Sequence, residues 1–190
     1  MFFYPTLSSA HFLGSETLAA NHILLQINYL AVYALDGVAF SSEILVGEAI
    51  GQRRDELFKK VVRSALKIGL IFSSFIGICL YFFGYLVIDL MTSIEPVRVI
   101  CYQFVIWISI MPIVSVFSYI YDGIFLGAAR GKEIRIAMIQ SSTIFFICII
   151  AFIPLMANTG LWTSIIVFNA VRALTLWTKL DRIKKSFSSN

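Results

Sequence analysis

Three carboxylic acids, Asp36, Glu43 and Asp122, stand in stretches of sequence that are otherwise apolar. A carboxyl group in such surroundings is costly unless it faces another polar group or water. The chemistry open to it is to hold a proton, bind a cation or pair with a basic side chain. Both aspartates follow tyrosine by three residues and precede glycine, as Tyr33-Ala34-Leu35-Asp36-Gly37 and Tyr119-Ile120-Tyr121-Asp122-Gly123. A glycine beside a buried acid lets a second helix, an ion or a ligand approach the backbone. Projected as a helix, His22, Gln26, Tyr29, Tyr33, Asp36, Glu43, Gly47 and Gly51 fall in one stripe about 100° wide, with Asn28, Ser41, Ser42 and Glu48 outside it. Ser115, Ser118, Tyr119 and Asp122 likewise share one face. Asp36, Asp122 and Glu43 are therefore the candidates to take up a proton or cation. Gln26, Tyr29, Tyr33, Ser115, Ser118 and Tyr119 are the candidates to line a cavity beside them.

Each candidate also has a plainer reading. Asp36 can act as glue, hydrogen-bonding Tyr33 or pairing with Arg172, and Arg172 can pair with either aspartate or rest on carbonyl groups near a helix end. Glu43 can reach water at the mouth of the structure, and His22 can be an interfacial residue. Two aspartates on two helices are also what an intramembrane aspartyl protease needs, with two carboxyls sharing one proton. Tyr121-Asp122 fits half of that pattern, but Asp36 follows Tyr-Ala-Leu and not Gly-x-Gly, and neither His-Glu-x-x-His nor Gly-x-Ser-x-Gly occurs. Cys79, Cys101 and Cys148 show no metal-ligand or disulfide spacing and read as small packing residues. No catalytic residue, metal ligand or cofactor box is expected.

The elements that hold these groups must cross a membrane. Only 14% of the 190 residues are charged, against about 25% in a soluble domain. No charge occurs from Ile68 to Ile88, from Val99 to Tyr121 or from Ile136 to Val171. A helix needs about 20 apolar residues to cross the hydrocarbon core. Five spans are expected, over Leu18–Gly47, Val62–Ile88, Val99–Gly127, Ile136–Met156 and Leu161–Thr178, with Asn158-Thr159-Gly160 as a turn between the last two. Residues 1–13 are apolar but too short to span, and lack the basic start and cleavage site of a secretory signal. They read as the remnant of a truncated helix ahead of a 14–180 domain and a 181–190 tail. Lys and Arg cluster at Arg53–Lys67, Arg130–Arg135 and Lys179–Lys185, in alternate loops. The excess of basic residues in cytoplasmic loops places all three clusters, and the C-terminus, on the cytoplasmic side. It implies no nucleic acid.

Five short segments, in order, resemble the MATE (multidrug and toxic-compound extrusion) family, and in particular its DNA-damage-inducible protein F-like branch. They are Gly14-Ser-Glu-Thr-Leu-Ala-Ala-Asn-His22, Leu35-Asp36-Gly37-Val-Ala-Phe with Leu45-Val-Gly47-Glu-Ala-Ile-Gly51, Met91-Thr92-Ser93-Ile-Glu95-Pro96-Val97, Asp122-Gly-Ile-Phe-Leu-Gly127-Ala-Ala-Arg130-Gly131 and Asn158-Thr-Gly160-Leu-Trp162. The resemblance implies an all-α polytopic bundle of five full transmembrane helices plus a partial one, equivalent to the C-terminal six-helix lobe of a twelve-helix transporter. It implies an antiporter of the inner membrane that exports organic, often cationic compounds in exchange for protons or sodium ions. It also implies that Asp122 matches the tenth-helix carboxylate used for cation coupling in one branch. The expected partners are the lipid bilayer, a small organic substrate and an N-terminal half supplied by another chain. Two other readings stand beside it: a lipid-linked oligosaccharide flippase of the same superfamily, and a non-transporting membrane subunit or truncated gene product.

Overall fold

The computed structural model describes residues 14–188, with side chains through Ile183; the expected helix remnant at 1–13 lies outside the described residues. Among the described residues five helices follow one another: α1 Ser15–Gly51, α2 Asp55–Met91, α3 Glu95–Gln103, α4 Val105–Gly127 and α5 Gly131–Ser188. No strand occurs among the described residues. Four of the helices are long and apolar enough to cross a membrane. Large apolar side chains stand exposed along their outer faces, including Ile68, Phe75, Phe82 and Leu86 on α2 and Ile150 and Leu155 on α5. Such a surface, on helices of this length, fits a lipid surrounding.

The helices differ from the expected spans in two places. The expected third span, from Val99, is divided. Pro96 opens the short helix α3, the chain bends at Phe104 (φ −107°, ψ 6°), and α4 starts afresh at Val105. The expected fourth and fifth spans are one run of helix with a single break at Ala157 (φ 48°, ψ −127°), one residue before the expected turn. Phe145 and Phe168 are 23 residues apart, which is about 35 Å along a straight helix, yet their ring centroids are 5.8 Å apart. The break at Ala157 therefore folds α5 into a hairpin of two antiparallel arms. The same helix continues to Ser188, through the segment expected as a tail.

The ends of α1 and α4 are built alike. Arg54 N–H bonds the Ala49 carbonyl and Arg53 N–H the Ile50 carbonyl; Arg130 N–H bonds Phe125 and Ala129 N–H bonds Leu126. This double bond pattern is the Schellman cap, whose penultimate residue must adopt a left-handed conformation. Here that residue is Arg53 (φ 53°) and Ala129 (φ 55°), where glycine is usual. Both turns reverse the chain within three residues, and both lie at the end of the bundle that carries the basic clusters.

α4 is the central and most buried long helix, packed against α1, α2 and α5. Small residues let it approach closely. A Cβ on Gly123 would run into the Ala39 carbonyl of α1, one on Gly127 into the Glu43 carbonyl, and one on Gly77 of α2 would lie 2.5 Å from the Ser109 carbonyl of α4. With little hydrophobic force between helices in lipid, this backbone-level packing is what holds them together. The core divides into two apolar clusters. One, at the basic end, centres on Leu35, Phe58, Ile120, Ile124, Phe125 and Leu176. The other, at the opposite end, centres on Leu24, Ile88, Ile108, Met111, Phe145 and Trp162. On α4 and α5 the boundary falls between Met111 and Val116 and between Phe168 and Ala173.

Candidate functional site

The polar groups of α4 and α5 collect at and just beyond that boundary. On α4, Ser115, Ser118 and Asp122 rise in steps of three and four residues, which places them on one face. The second arm of α5 presents Asn169 and Arg172 to it, again three residues apart. Two rungs join the helices. Ser118 Oγ lies 3.1 Å from Asn169 Oδ1 and also donates to the Ser115 carbonyl at 2.8 Å. One turn on, Arg172 Nη2 meets Asp122 Oδ2 at 2.5 Å, with both side chains only 15% exposed. Asn169 Nδ2 donates to the Ile165 carbonyl and Ser115 Oγ to the Met111 carbonyl, so each side-chain polar atom of the first rung has a partner.

The second rung is only half satisfied. Asp122 Oδ1 and Arg172 Nε are buried and have no hydrogen-bond partner. A charge pair taken out of water repays its desolvation only when the remaining lone pairs and protons are also bonded. The pair is thus a place where a further ligand or proton is energetically welcome. The Tyr119 hydroxyl lies within electrostatic reach of Arg172, Asp36 and Asp122. Asp36 itself is half-buried and has no hydrogen bond or ion pair among the described residues.

The structure thus groups Asp36, Asp122, Ser115, Ser118 and Tyr119 with Arg172, and identifies Asp122 as the partner of Arg172. It leaves Glu43 apart. The Glu43 carbonyl packs on Gly127 near the basic end and its side chain is half-buried. Gln26, Tyr29 and Tyr33 lie on the outer face of α1, with Tyr33 70% exposed, and Gln26 Nε2 contacts His22 Nε2 at 3.1 Å. Ser115 and Ser118 are fully enclosed by the bundle. The polar stripe of α1 and the polar face of α4 therefore point to different surroundings, and Asp36 sits where the two meet. The pairing of Asp122 with a guanidinium is the arrangement of a charge pair, not of two carboxyls sharing a proton.

Other polar groups were not anticipated. Asn169 joins the site, and Asn21 and Asn28 turn inward from α1. Asn21 Nδ2 donates to Asn158 Oδ1 at 2.6 Å, while Asn21 Oδ1 accepts from Asn158 Nδ2 at 3.1 Å and Trp162 Nε1 at 3.0 Å. This clasp ties the start of α1 to the apex of the α5 hairpin. The signal available in the sequence was that an asparagine inside an apolar helix and off the polar stripe needs a partner of its own.

Comparison with known proteins agrees with this architecture. The family described as MatE matches residues 1–152. DNA damage-inducible protein F of Escherichia coli (strain K12) is 32% identical over 164 residues, which is 86% of this chain and 36% of that protein. A MOP superfamily transporter from Pyrococcus furiosus Vc1 (DSM3638), whose binding pocket of reverse polarity suggests a different function, superposes with a TM-score of 0.86 at 20% identity, over 100% of this chain and 43% of its own. An outward-facing multidrug resistance MATE family transporter of the MOP superfamily gives 0.82 at 19% identity, over 97% and 43%. An inward-facing one gives 0.74 at 19%, over 96% and 46%. The chain spans between about a third and a half of the length of the relatives it matches. With a multi-pass helical bundle, a charged layer inside it and a family match over most of its length, the chain belongs to the MatE family.

Proposed function

We propose that this chain is one lobe of an antiporter that exports organic, often cationic compounds in exchange for protons or sodium ions by alternating access. The observation that carries the reading is the half-satisfied charge layer inside the bundle, Asp122 with Arg172 and Asp36 nearby, beside an α1 polar stripe that faces out of the lobe. A stripe of that kind at membrane depth needs a protein or aqueous neighbour. In this reading a second lobe, supplied by another chain, provides the opposite wall of a central cavity, and substrate binds between the two. The basic end faces the cytoplasm of an inner membrane, by the distribution of Lys and Arg.

The test is export of a fluorescent organic cation from vesicles that contain the chain together with a complementing lobe, under an imposed proton or sodium gradient. Asn is nearly isosteric with Asp but cannot gain or lose a proton at physiological pH. At least one of Asp36→Asn and Asp122→Asn abolishes gradient-driven export at an unchanged level of folded protein, and Glu43→Gln has the smaller effect. Parental rates from both Asn variants would overturn the proposal.

A further inference from the structure

Arg172 reaches Asp122 at 2.5 Å, and both groups are enclosed. A guanidinium stays charged at every physiological pH and carries its positive charge on a planar fork suited to a carboxylate. The charge of Asp122 is therefore already balanced by a cation belonging to the protein, which covers Oδ2 and leaves Oδ1 without a partner. Asp36, on the neighbouring helix, has no such cover: no basic side chain bonds it among the described residues, and it is the more exposed of the two acids. Asp36 lies one turn before Ala39, whose carbonyl packs on Gly123 next to Asp122, so the two acids stand near one level on adjacent helices, and the Tyr119 hydroxyl is within electrostatic reach of Asp36, Asp122 and Arg172. With both acids ionised and Arg172 charged, the cluster carries a single net negative charge.

We infer that Arg172 is a built-in cation that neutralises Asp122, leaving Asp36 as the one acid whose charge is unbalanced, so that the site takes one monovalent cation at a time. The inference rests on the transport reading for its purpose but not for its evidence, which is the pairing itself. It assigns the two aspartates different tasks. Asp36 takes the proton or the organic monocation. Asp122 is a positioning residue that holds Arg172, and Arg172 sets the charge the site accepts. A site with Arg172 removed would carry two unbalanced negative charges, and would take two monocations or one dication.

A hydrophobic carbodiimide tests this on the chain itself in lipid nanodiscs. The reagent adds to a protonated carboxyl in an apolar setting, forming an O-acylisourea that rearranges to a stable N-acylurea, and peptide mass spectrometry locates the adduct. A carboxylate held by a guanidinium does not react. In the parental chain Asp36 is modified at least several-fold faster than Asp122, and tetraphenylphosphonium, a monovalent organic cation, slows the reaction at Asp36. Arg172→Gln raises modification of Asp122 to the level of Asp36, whereas Arg172→Lys, which keeps the charge, leaves Asp122 protected. Equal modification of the two aspartates in the parental chain overturns the inference, and so does Asp36 labelling that the cation leaves unchanged. The parental measurement stands even where Arg172→Gln fails to fold. If the labelling contrast and protection hold while the two-lobe vesicles export nothing, the transport reading fails and this inference survives.

Discussion

Replacing Gly127 by alanine adds one methyl group where two helix backbones touch. On an open helix surface the change is favourable, because glycine in a helix interior is about 0.5–1 kcal/mol worse than alanine. At Gly127 the new Cβ would overlap the Glu43 carbonyl oxygen and crowd the Glu43 Cα, both backbone atoms of α1 that cannot rotate away. Forcing a methyl group into a tight contact costs about 1–3 kcal/mol. Taken at the middle of these ranges, the two effects leave a net loss of about 1 kcal/mol. Gly37 supplies the control. It lies inside α1, and a Cβ there meets nothing within 4 Å, so Gly37→Ala gains up to about 1 kcal/mol. One chemical change at two positions thus moves stability in opposite directions. The assay is unfolding of the chain in detergent micelles by a rising fraction of a denaturing detergent, followed by tryptophan fluorescence, since Trp162 is fully buried. A Gly127→Ala chain as stable as the parent would mean that α1 and α4 do not meet at backbone level, and an equal loss at Gly37 would mean that the cost has another origin.

Other outcomes follow from the same geometry. Asn21→Ala strips the Asn158 amide and the Trp162 N–H of their partner, and loses about 1–3 kcal/mol; Asn158→Ala leaves the bond from Trp162 to Asn21 in place and loses less, as the same unfolding assay shows. In a background with the three native cysteines replaced, Ala157→Cys at the exposed hairpin apex is labelled by an impermeant maleimide in intact cells and Ser188→Cys is not; the reverse pattern refutes the orientation. Glu43→Gln leaves the unfolding midpoint within about 0.5 kcal/mol of the parent, the usual range for a substitution that breaks no contact, because its side chain bonds nothing among the described residues.

The membrane class was legible because the solvent acts on every residue: three long stretches without a charge leave no other place for the chain. The paired turns after Gly51 and Gly127 were legible as basic loops. Which side chains meet was not. Arg172 had several carboxylates within plausible reach by sequence, and only the packing of α5 on α4 selects Asp122. The division at Phe104 carries no proline or glycine of its own, and the reversal at Ala157 falls on a strong helix former. The second falls one residue before the turn expected at Asn158-Thr159-Gly160; the first is imposed by the tertiary packing of α3, which a local reading cannot see. The outward direction of the α1 stripe was hidden for the same reason. Helical periodicity tells which residues share a face, and not which neighbour that face receives.

The clasp between Asn21 and Asn158 has a consequence for how the chain is made. The two asparagines are 137 residues apart, so α1 has left the ribosome and entered the bilayer long before the α5 apex exists. The apex carries an amide whose partner, Asn21, stands at the end of the bundle opposite the basic clusters. The first arm of α5 is uncharged from Ile136 to Ala157 and the second carries Arg172. Arg172 then finds Asp122 on a helix already in place. Biogenesis of this bundle therefore ends with two polar closures at different depths, one amide and one ionic, and a nascent chain stopped before Asn158 would hold α1 and α4 side by side with neither closure made.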